Sequence, residues 1–330
     1  MSREDWLTAR TSPERLARVA YAYYVQGLAQ AAIAEQLGVT RSNVSRLLRL
    51  ARDEGVIRFR IDFPLERNVA VERRLLNRFR PAGLQDAVVV ARELIPDTAA
   101  TPLLPLALAA VDWLGASLRD GQTLGLSWGS TLQTLVEIAR FQRRFDVSVV
   151  QLVGEINLDS RNSGHDLVRD LAVKLGGRYT YFSAPAVAAS ADDARALLGN
   201  SQVSSALALG RGADVTLLGI GRYNVGSSNA FLTLARASRE EQRELDSRGV
   251  VGQTMARFFD AKGNQVDLAI HERTISLDVS DLLRIPTNVI VASGREKRDA
   301  VLAALGAGWI QVLIIDAALA DSLLEPLSQR

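Results

Sequence analysis

Two groups of side chains in this chain are typed and spaced for chemistry on anions. The first is Gly125 to Thr131, GLSWGST, where Gly129 lets the backbone approach an oxyanion and Ser127, Ser130 and Thr131 add hydroxyl donors. If this stretch leads from a strand into a helix, the first helical amides have no acceptor of their own and favour the same anion. That pattern suits a phosphate. It is not a nucleoside-triphosphate loop, because the Lys that precedes the Ser/Thr pair in such loops is absent. The same residues also fit a tight turn with a serine N-cap. The second group is Arg41, Ser42, Asn43, Ser45, Arg46 and Arg49, which fall on or near the outward face of a short helix. Arg and Asn read base edges through paired hydrogen bonds, and Arg also neutralises backbone phosphates. Arg41, Asn43 and Arg46 are the expected base contacts, with Arg49 and the later Arg58 and Arg60 on phosphates.

The elements that must carry the second group are legible in Ala31 to Gly55. Ile33, Ala34 and Leu37 give one helix an apolar face, and Val44, Leu47 and Leu48 repeat at the spacing of another. Gly38 can take the positive φ that ends the first helix, and Thr40 can cap the second. This is a helix-turn-helix signature, the alternative being an ordinary helical hairpin with a basic solvated face. Pro13 to Gln26, with Ser12 as N-cap, reads as a bracing first helix on Leu16, Val19, Ala20 and Tyr23. Val56 to Phe63, VIRFRIDF, alternates as a half-exposed strand and suggests a wing. An amphipathic helix over Asn68 to Phe79, on Val69, Val71, Leu75, Leu76 and Phe79, is expected to join two copies, since such readers engage twofold-related half-sites.

From Gln85 onward, apolar strands alternate with helices. Strands are expected at Ala87–Ala91, Thr123–Leu126, Val147–Leu152, Tyr179–Phe182, Val215–Ile220, Asn288–Ala292 and Gln311–Ile315. Continuous apolar strands of this kind argue a mostly parallel sheet covered on both faces, with ligands at the strands' carboxyl ends. The fold class is therefore α/β: a winged helix-turn-helix domain over 1–63, a connector or dimerisation helix over 64–84, and a larger domain with a mostly parallel sheet over 85–330.

Charge follows the same division. The chain has 330 residues and a net charge of +2, yet the segment through Arg80 holds 15 Arg against 9 acidic residues. The basic surplus lies where the reader lies. With no Cys and only two His, the chain offers no thiol nucleophile and no structural zinc site. No metal or cofactor is expected. The N-terminus carries no signal-peptide pattern and no apolar run nears the roughly 20 residues of a membrane span, so a cytoplasmic protein is expected.

Two weaker loop candidates follow strands. Ser293-Gly294-Arg295-Glu296-Lys297 would add positive charge at a second helix start. Gly219-Ile220-Gly221 lacks the third glycine of a dinucleotide fingerprint, having Asn224 there, which argues against a nicotinamide site. Gly154-Glu155, Gly252-Gln253 and Arg273-Thr274 read as further loop positions.

The ordered stretches GLSWGSTL, VQLVGE, LGGRYTYFSAPA, ADVTLLGIG, GVVGQTMARFFDAKGNQVD, IPTNVIVASGREKRDAVLAAL and GWIQVLIID resemble the SorC family of bacterial sugar-responsive transcriptional regulators. The resemblance covers nearly the whole chain. It implies that 85–330 is an effector-binding domain with the Rossmann-like α/β fold of the sugar-phosphate isomerases, shared with ribose-5-phosphate isomerase and glucosamine-6-phosphate deaminase, used as a sensor of phosphorylated sugars. It implies partners too: operator DNA, a small sugar effector, and further copies in a homodimer or homotetramer. Carried over residue by residue, Gly129, Ser130 and Thr131 resemble the phosphate cradle, with Ser127 beside it. Lys297 resembles the family's effector-contacting Lys, Gly221 lies in the matching strand-end loop, and Asp316 falls at the Asp after the last strand. The family commonly has Gly-Gly where this chain has Gly154-Glu155, Gly-Asp at Gly252-Gln253, and Gly-Gly at Ser293-Gly294. Glu155 and Gln253 are thus expected to set hydroxyl recognition. The competing expectation is an active sugar-phosphate isomerase fused to a DNA-binding module, drawing an acid and a base from Asp166, Glu155 and Lys297.

Overall fold

Ser12 accepts a hydrogen bond from the Arg15 amide and Pro13 follows it, so the first helix runs Pro13–Tyr24, as the capping pattern requires. The computed structural model describes residues 12–57, 65–91, 103–156, 163–224 and 227–326, with 227–230 by backbone alone. They form two units, Met1–Pro64 and Leu65–Arg330.

In the first unit, helices Pro13–Tyr24, Gln30–Leu37 and Arg41–Asp53 enclose one small core of Leu16, Val19, Ile33, Ala34, Val44, Leu47, Leu48 and Ala51. Gly38 sits at φ 62°, and its amide and that of Val39 close the second helix on the Ala34 carbonyl. Leu37, expected on the buried face, is instead 38% exposed, because Gly38 ends the helix there. The wing strand falls mostly on residues 58–63, which lie outside the described residues, as do Arg58 and Arg60.

The second unit is built on a seven-stranded, all-parallel sheet. Its strands are β1 (Asp86–Val90), β2 (Thr123–Leu126), β3 (Ser148–Gln151), β4 (Arg178–Thr180), β5 (Val215–Gly219), β9 (Thr287–Ala292) and β10 (Val312–Asp316). Their order is β1-β10-β9-β5-β2-β3-β4. The strand interiors are buried on both faces, because one core lies on each side of the sheet, except in β4, an edge strand whose Arg178 and Tyr179 are exposed. From β2 the chain winds outward through β3 and β4. It then returns to the other side of β2 with β5, β9 and β10. The strand order therefore reverses between β2 and β5, and a crevice opens at their carboxyl ends.

A second, antiparallel sheet joins β6 (Gly221–Arg222), β7 (Val250–Thr254) and β8 (Arg257–Asp260). Gly252-Gln253, expected in a loop, belongs to β7. Arg257 fixes this hairpin from within: its buried guanidinium donates to the carbonyls of His271, Thr274 and Ser276 and pairs with Asp278 at 3.2 Å.

The Val69–Phe79 helix lies within the second unit. Asn68 caps it, and Val71 and Leu75 enter the unit's own core while Val69 stays 49% exposed. Just before it, Arg67 bridges to Val90 on the free edge of β1, and the Ala91 amide donates to the Glu66 carbonyl. Glu72 is buried beside that edge, where it accepts from the Val89 amide and from two nitrogens of Arg67. These contacts satisfy an edge that parallel pairing leaves open.

His271 adds a pH dependence to this unit. The Phe258 amide donates to its Nε2 at 3.0 Å while Nδ1 faces the Val266 carbonyl at 3.0 Å, which fixes a neutral, Nδ1-protonated ring. Burial, with the nearby Arg257 charge, pushes its pKa down to about 4. The unfolded chain, with a histidine near pKa 6.5, therefore binds more protons between those values, and stability falls as pH drops through that window. In urea unfolding this group is expected to cost about 2 kcal/mol between pH 7 and pH 5. His271→Gln is expected to flatten that slope.

Candidate functional site

Strand β2 ends at Leu126, and the Ser130–Ile138 helix begins four residues later with Gly129 as its N-cap. Gly129 holds φ 151° and ψ 156°, a backbone region essentially restricted to glycine. Gly129 brings no side chain to cap the helix, and the amides of Ser130, Thr131 and Leu132 have no acceptor among the described residues. Three unsatisfied donors thus face the crevice at the positive end of a helix. The serine-capped turn is not what forms here: Ser127 is buried, and its hydroxyl accepts from the Gly219 amide, tying the cradle to the end of β5.

Around this helix start lies a cleft of about 40 Å³, lined by Trp128 to Leu132, Gly219 to Gly221, Gln253, Met255, Val291 and Lys297. It gathers Gly129, Ser130, Thr131, Gly221, Gln253 and Lys297 from four separate stretches of sequence. Glu155 is not among the lining residues. Its backbone bridges Pro185, with its amide on the Ala184 carbonyl and its carbonyl taking the Ala186 amide. Gly154 packs against the Pro185 backbone with no room for a Cβ, which fixes the course of that segment.

Lys297 follows β9 across a short turn. Asp316 organises the turn by accepting from the Ser293 hydroxyl, from the Gly294 amide at 2.9 Å and from the Leu319 amide at 2.8 Å. The Lys297 ammonium forms no hydrogen bond or ion pair with another described residue. Burial pushes its pKa down, while the Glu296 and Asp316 charges oppose that shift. A desolvated, unpaired cation beside unsatisfied helix amides suits an anionic ligand.

The hairpin contributes Gln253 and Met255 through a two-residue turn, Met255-Ala256, with φ of 49° and 62°. Neither residue favours positive φ. Both are buried, which holds the turn in place.

A larger groove of about 1270 Å³ lies elsewhere, on the Arg239–Ser247 helix. Its charges are largely engaged: Arg273 clamps Glu241 through two nitrogens, Arg248 pairs with Glu244, and Ser238 and Glu241 cap the helix reciprocally. Its charged side chains are mostly paired with one another, so the smaller cleft is the stronger candidate. Asp166 is likewise committed, since it accepts from Ser163 in a capping box and pairs with Arg169, and its pKa is lowered chiefly by the Ser163 amide. Among the described residues, no cluster of His, Asp and Glu could hold a metal, and no helix is long and apolar enough to cross a membrane.

In the first unit, Thr40 accepts from the Asn43 amide at 3.3 Å and starts the Arg41–Asp53 helix. Val44, Leu47 and Leu48 are buried, which leaves Arg41, Ser42, Ser45, Arg46 and Arg49 exposed and Asn43 half-buried. This is the outward basic face of a helix-turn-helix reader.

A DNA reader joined to a Rossmann-type sheet with an anion cleft at its switch point defines a ligand-responsive transcriptional regulator. Comparison with known proteins gives the particular family. A family model described as "Putative sugar-binding domain" matches residues 64–325. The transcriptional regulator LsrR of Escherichia coli O139:H28 is 32% identical over 319 residues, covering 94% of each chain. The deoxyribonucleoside regulator of Bacillus subtilis is 30% identical over 306 residues, covering 92% of this chain and 95% of its own. The crystal structure of the full-length sorbitol operon regulator SorC from Klebsiella pneumoniae matches with a TM-score of 0.70 and 26% identity, covering 95% of this chain and 99% of that one. The chain belongs to the SorC family of sugar-responsive transcriptional regulators, and it is a DNA-binding regulator with a sugar-sensing domain.

Proposed function

We propose that the cleft at the ends of β2, β5 and β9 binds a phosphorylated sugar, and that its occupancy changes the affinity of a cytoplasmic homo-oligomer for operator DNA. The observation that carries this is the convergence of three unsatisfied helix amides with the unpaired Lys297 ammonium, in a cleft whose described lining has no carboxylate. Ser130 and Thr131 hydroxyls complete the phosphate cradle, with Ser127 behind them, and Gly221 and Gln253 face the remainder of the ligand. Arg41, Asn43 and Arg46 meet base edges; Ser42, Ser45 and Arg49 meet the DNA backbone.

A route out of the cleft is available. Asp316 holds the turn before Lys297 and stands in register with Val90, whose other edge takes Arg67 at the start of the sensing unit. A ligand that shifts the Ser293-Gly294 turn therefore acts on the strand edge next to the link to the reader.

Isothermal titration against pentose and hexose monophosphates and their unphosphorylated sugars tests this reading. Binding of a phosphorylated member, with no binding of its dephosphorylated form, is the expected result; preference for the free sugar would overturn it. Lys297→Met is expected to weaken that binding roughly 10- to 100-fold, the worth of a charge-assisted hydrogen bond to phosphate. An isomerase needs an acid and a base at the cleft. Of the three candidates only Lys297 lines it, so turnover at enzymatic rates is not expected.

A further inference from the structure

Trp128 stands between Ser127 and the cradle glycine, yet its polar atom does nothing for the fold. Its indole Nε1 is closed off from solvent, and among the described residues it is the one buried side-chain nitrogen or oxygen without a hydrogen-bond partner. A buried donor left unsatisfied destabilises the fold. The ring is well used, since it packs against both cores that flank the sheet and tilts 30° against Phe231 at 6.0 Å. Those contacts explain an aromatic ring, which Phe would supply equally. They do not explain the N–H.

The cleft that Trp128 lines is narrow, about 40 Å³, and a ligand that widens it displaces lining groups. Widening opens a shielded donor to the ligand. We propose that Trp128 is an effector-contacting residue whose indole N–H donates a hydrogen bond to an oxygen of the bound phosphorylated metabolite. This rests on the reading of the cleft as the effector site. The ligand it implies is rich in oxygen acceptors, because the lining offers chiefly donors: helix amides, two hydroxyls, an ammonium and this indole. Binding then satisfies the orphaned donor, and the gain is lost in a variant without it.

The test is Trp128→Phe, which keeps a ring against Phe231 and removes the donor. Wild type and W128F are titrated with ribose 5-phosphate, glucose 6-phosphate and fructose 6-phosphate, and with inorganic phosphate as the minimal probe. W128F is expected to bind the preferred sugar phosphate about 10-fold more weakly while its ligand-free melting temperature is unchanged or higher. Weakening of inorganic phosphate as well places the contact on the phosphate; weakening of the sugar phosphate alone places it on another oxygen. Affinity within twofold of wild type overturns the inference and leaves the effector site standing. If wild type binds none of the probes, the effector site falls and the inference with it. Should W128F fail to fold, wild-type protein supplies a second readout in its indole N–H resonances. Of the four indoles, Trp113 and Trp309 already donate to Asp86 and Gly263, and the Trp6 signal is assigned with Trp6→Phe, so the signal expected to move downfield on saturation is that of Trp128; no movement of it overturns the inference.

Discussion

Replacing Arg46 with alanine is expected to weaken operator binding roughly 10- to 100-fold, the worth of one bidentate base contact, while affinity for the effector is unchanged. Arg46 lies in the second turn of a helix fixed at its start by the Thr40 cap and from behind by Val44, Leu47 and Leu48. The substitution removes an exposed side chain and no core contact, so the unit is expected to stay folded. Because a base contact carries sequence information, discrimination between the operator and scrambled DNA should fall together with affinity. Electrophoretic mobility or anisotropy measurements at fixed salt check this. Loss of effector binding with DNA affinity intact would contradict the assignment.

Replacing Gly129 with valine is expected to act in the sensing unit. A β-branched side chain is strained at φ 151° by about 1–3 kcal/mol. No neighbour stands within 4 Å of the added Cβ, so the strain comes from the backbone and not from a clash. The turn relieves it by changing its dihedrals, which turns the Ser130, Thr131 and Leu132 amides away from a common point. Losing two or three hydrogen bonds to a charged phosphate is expected to reduce sugar-phosphate affinity by at least about 100-fold. Operator binding without ligand should persist, but it should no longer respond to the sugar. Titration calorimetry and thermal unfolding of the same preparation separate this outcome from simple loss of structure.

Much of this architecture was legible in residue types. Six strands of the parallel sheet announce themselves as short, mostly apolar runs, because strands covered on both faces have no polar side to hide, whereas β4 is an exposed Arg-Tyr-Thr edge. The helix-turn-helix was legible because Gly38 and Thr40 have backbone tasks that few other residues perform. The β7–β8 hairpin was not, since its turn is Met255-Ala256, with positive φ but neither Gly nor Asn to signal it. Tertiary burial, not turn chemistry, holds that conformation, and burial cannot be read from two residues. The same missing hairpin made Gln253 look like a loop residue, although β7 carries it to the cleft. Family pattern placed Glu155 with the effector residues; it is not among the residues that line the cleft, and its backbone pairs with Pro185 and its neighbours. Nothing in the pattern GLSWGST marks Trp128 as a ligand contact. Its unpaired N–H becomes visible only once every possible partner has a position.

The most direct measurement is operator binding by the full chain at fixed salt, with and without a saturating sugar phosphate identified by titration, in wild type and in Lys297→Met. A sugar-phosphate-gated reader predicts that the ligand shifts wild-type operator affinity at least about fivefold, the lower end of ordinary allosteric coupling, and that the variant at the same ligand concentration shows little of the shift. A ligand that binds the cleft tightly and leaves operator affinity unchanged would contradict it.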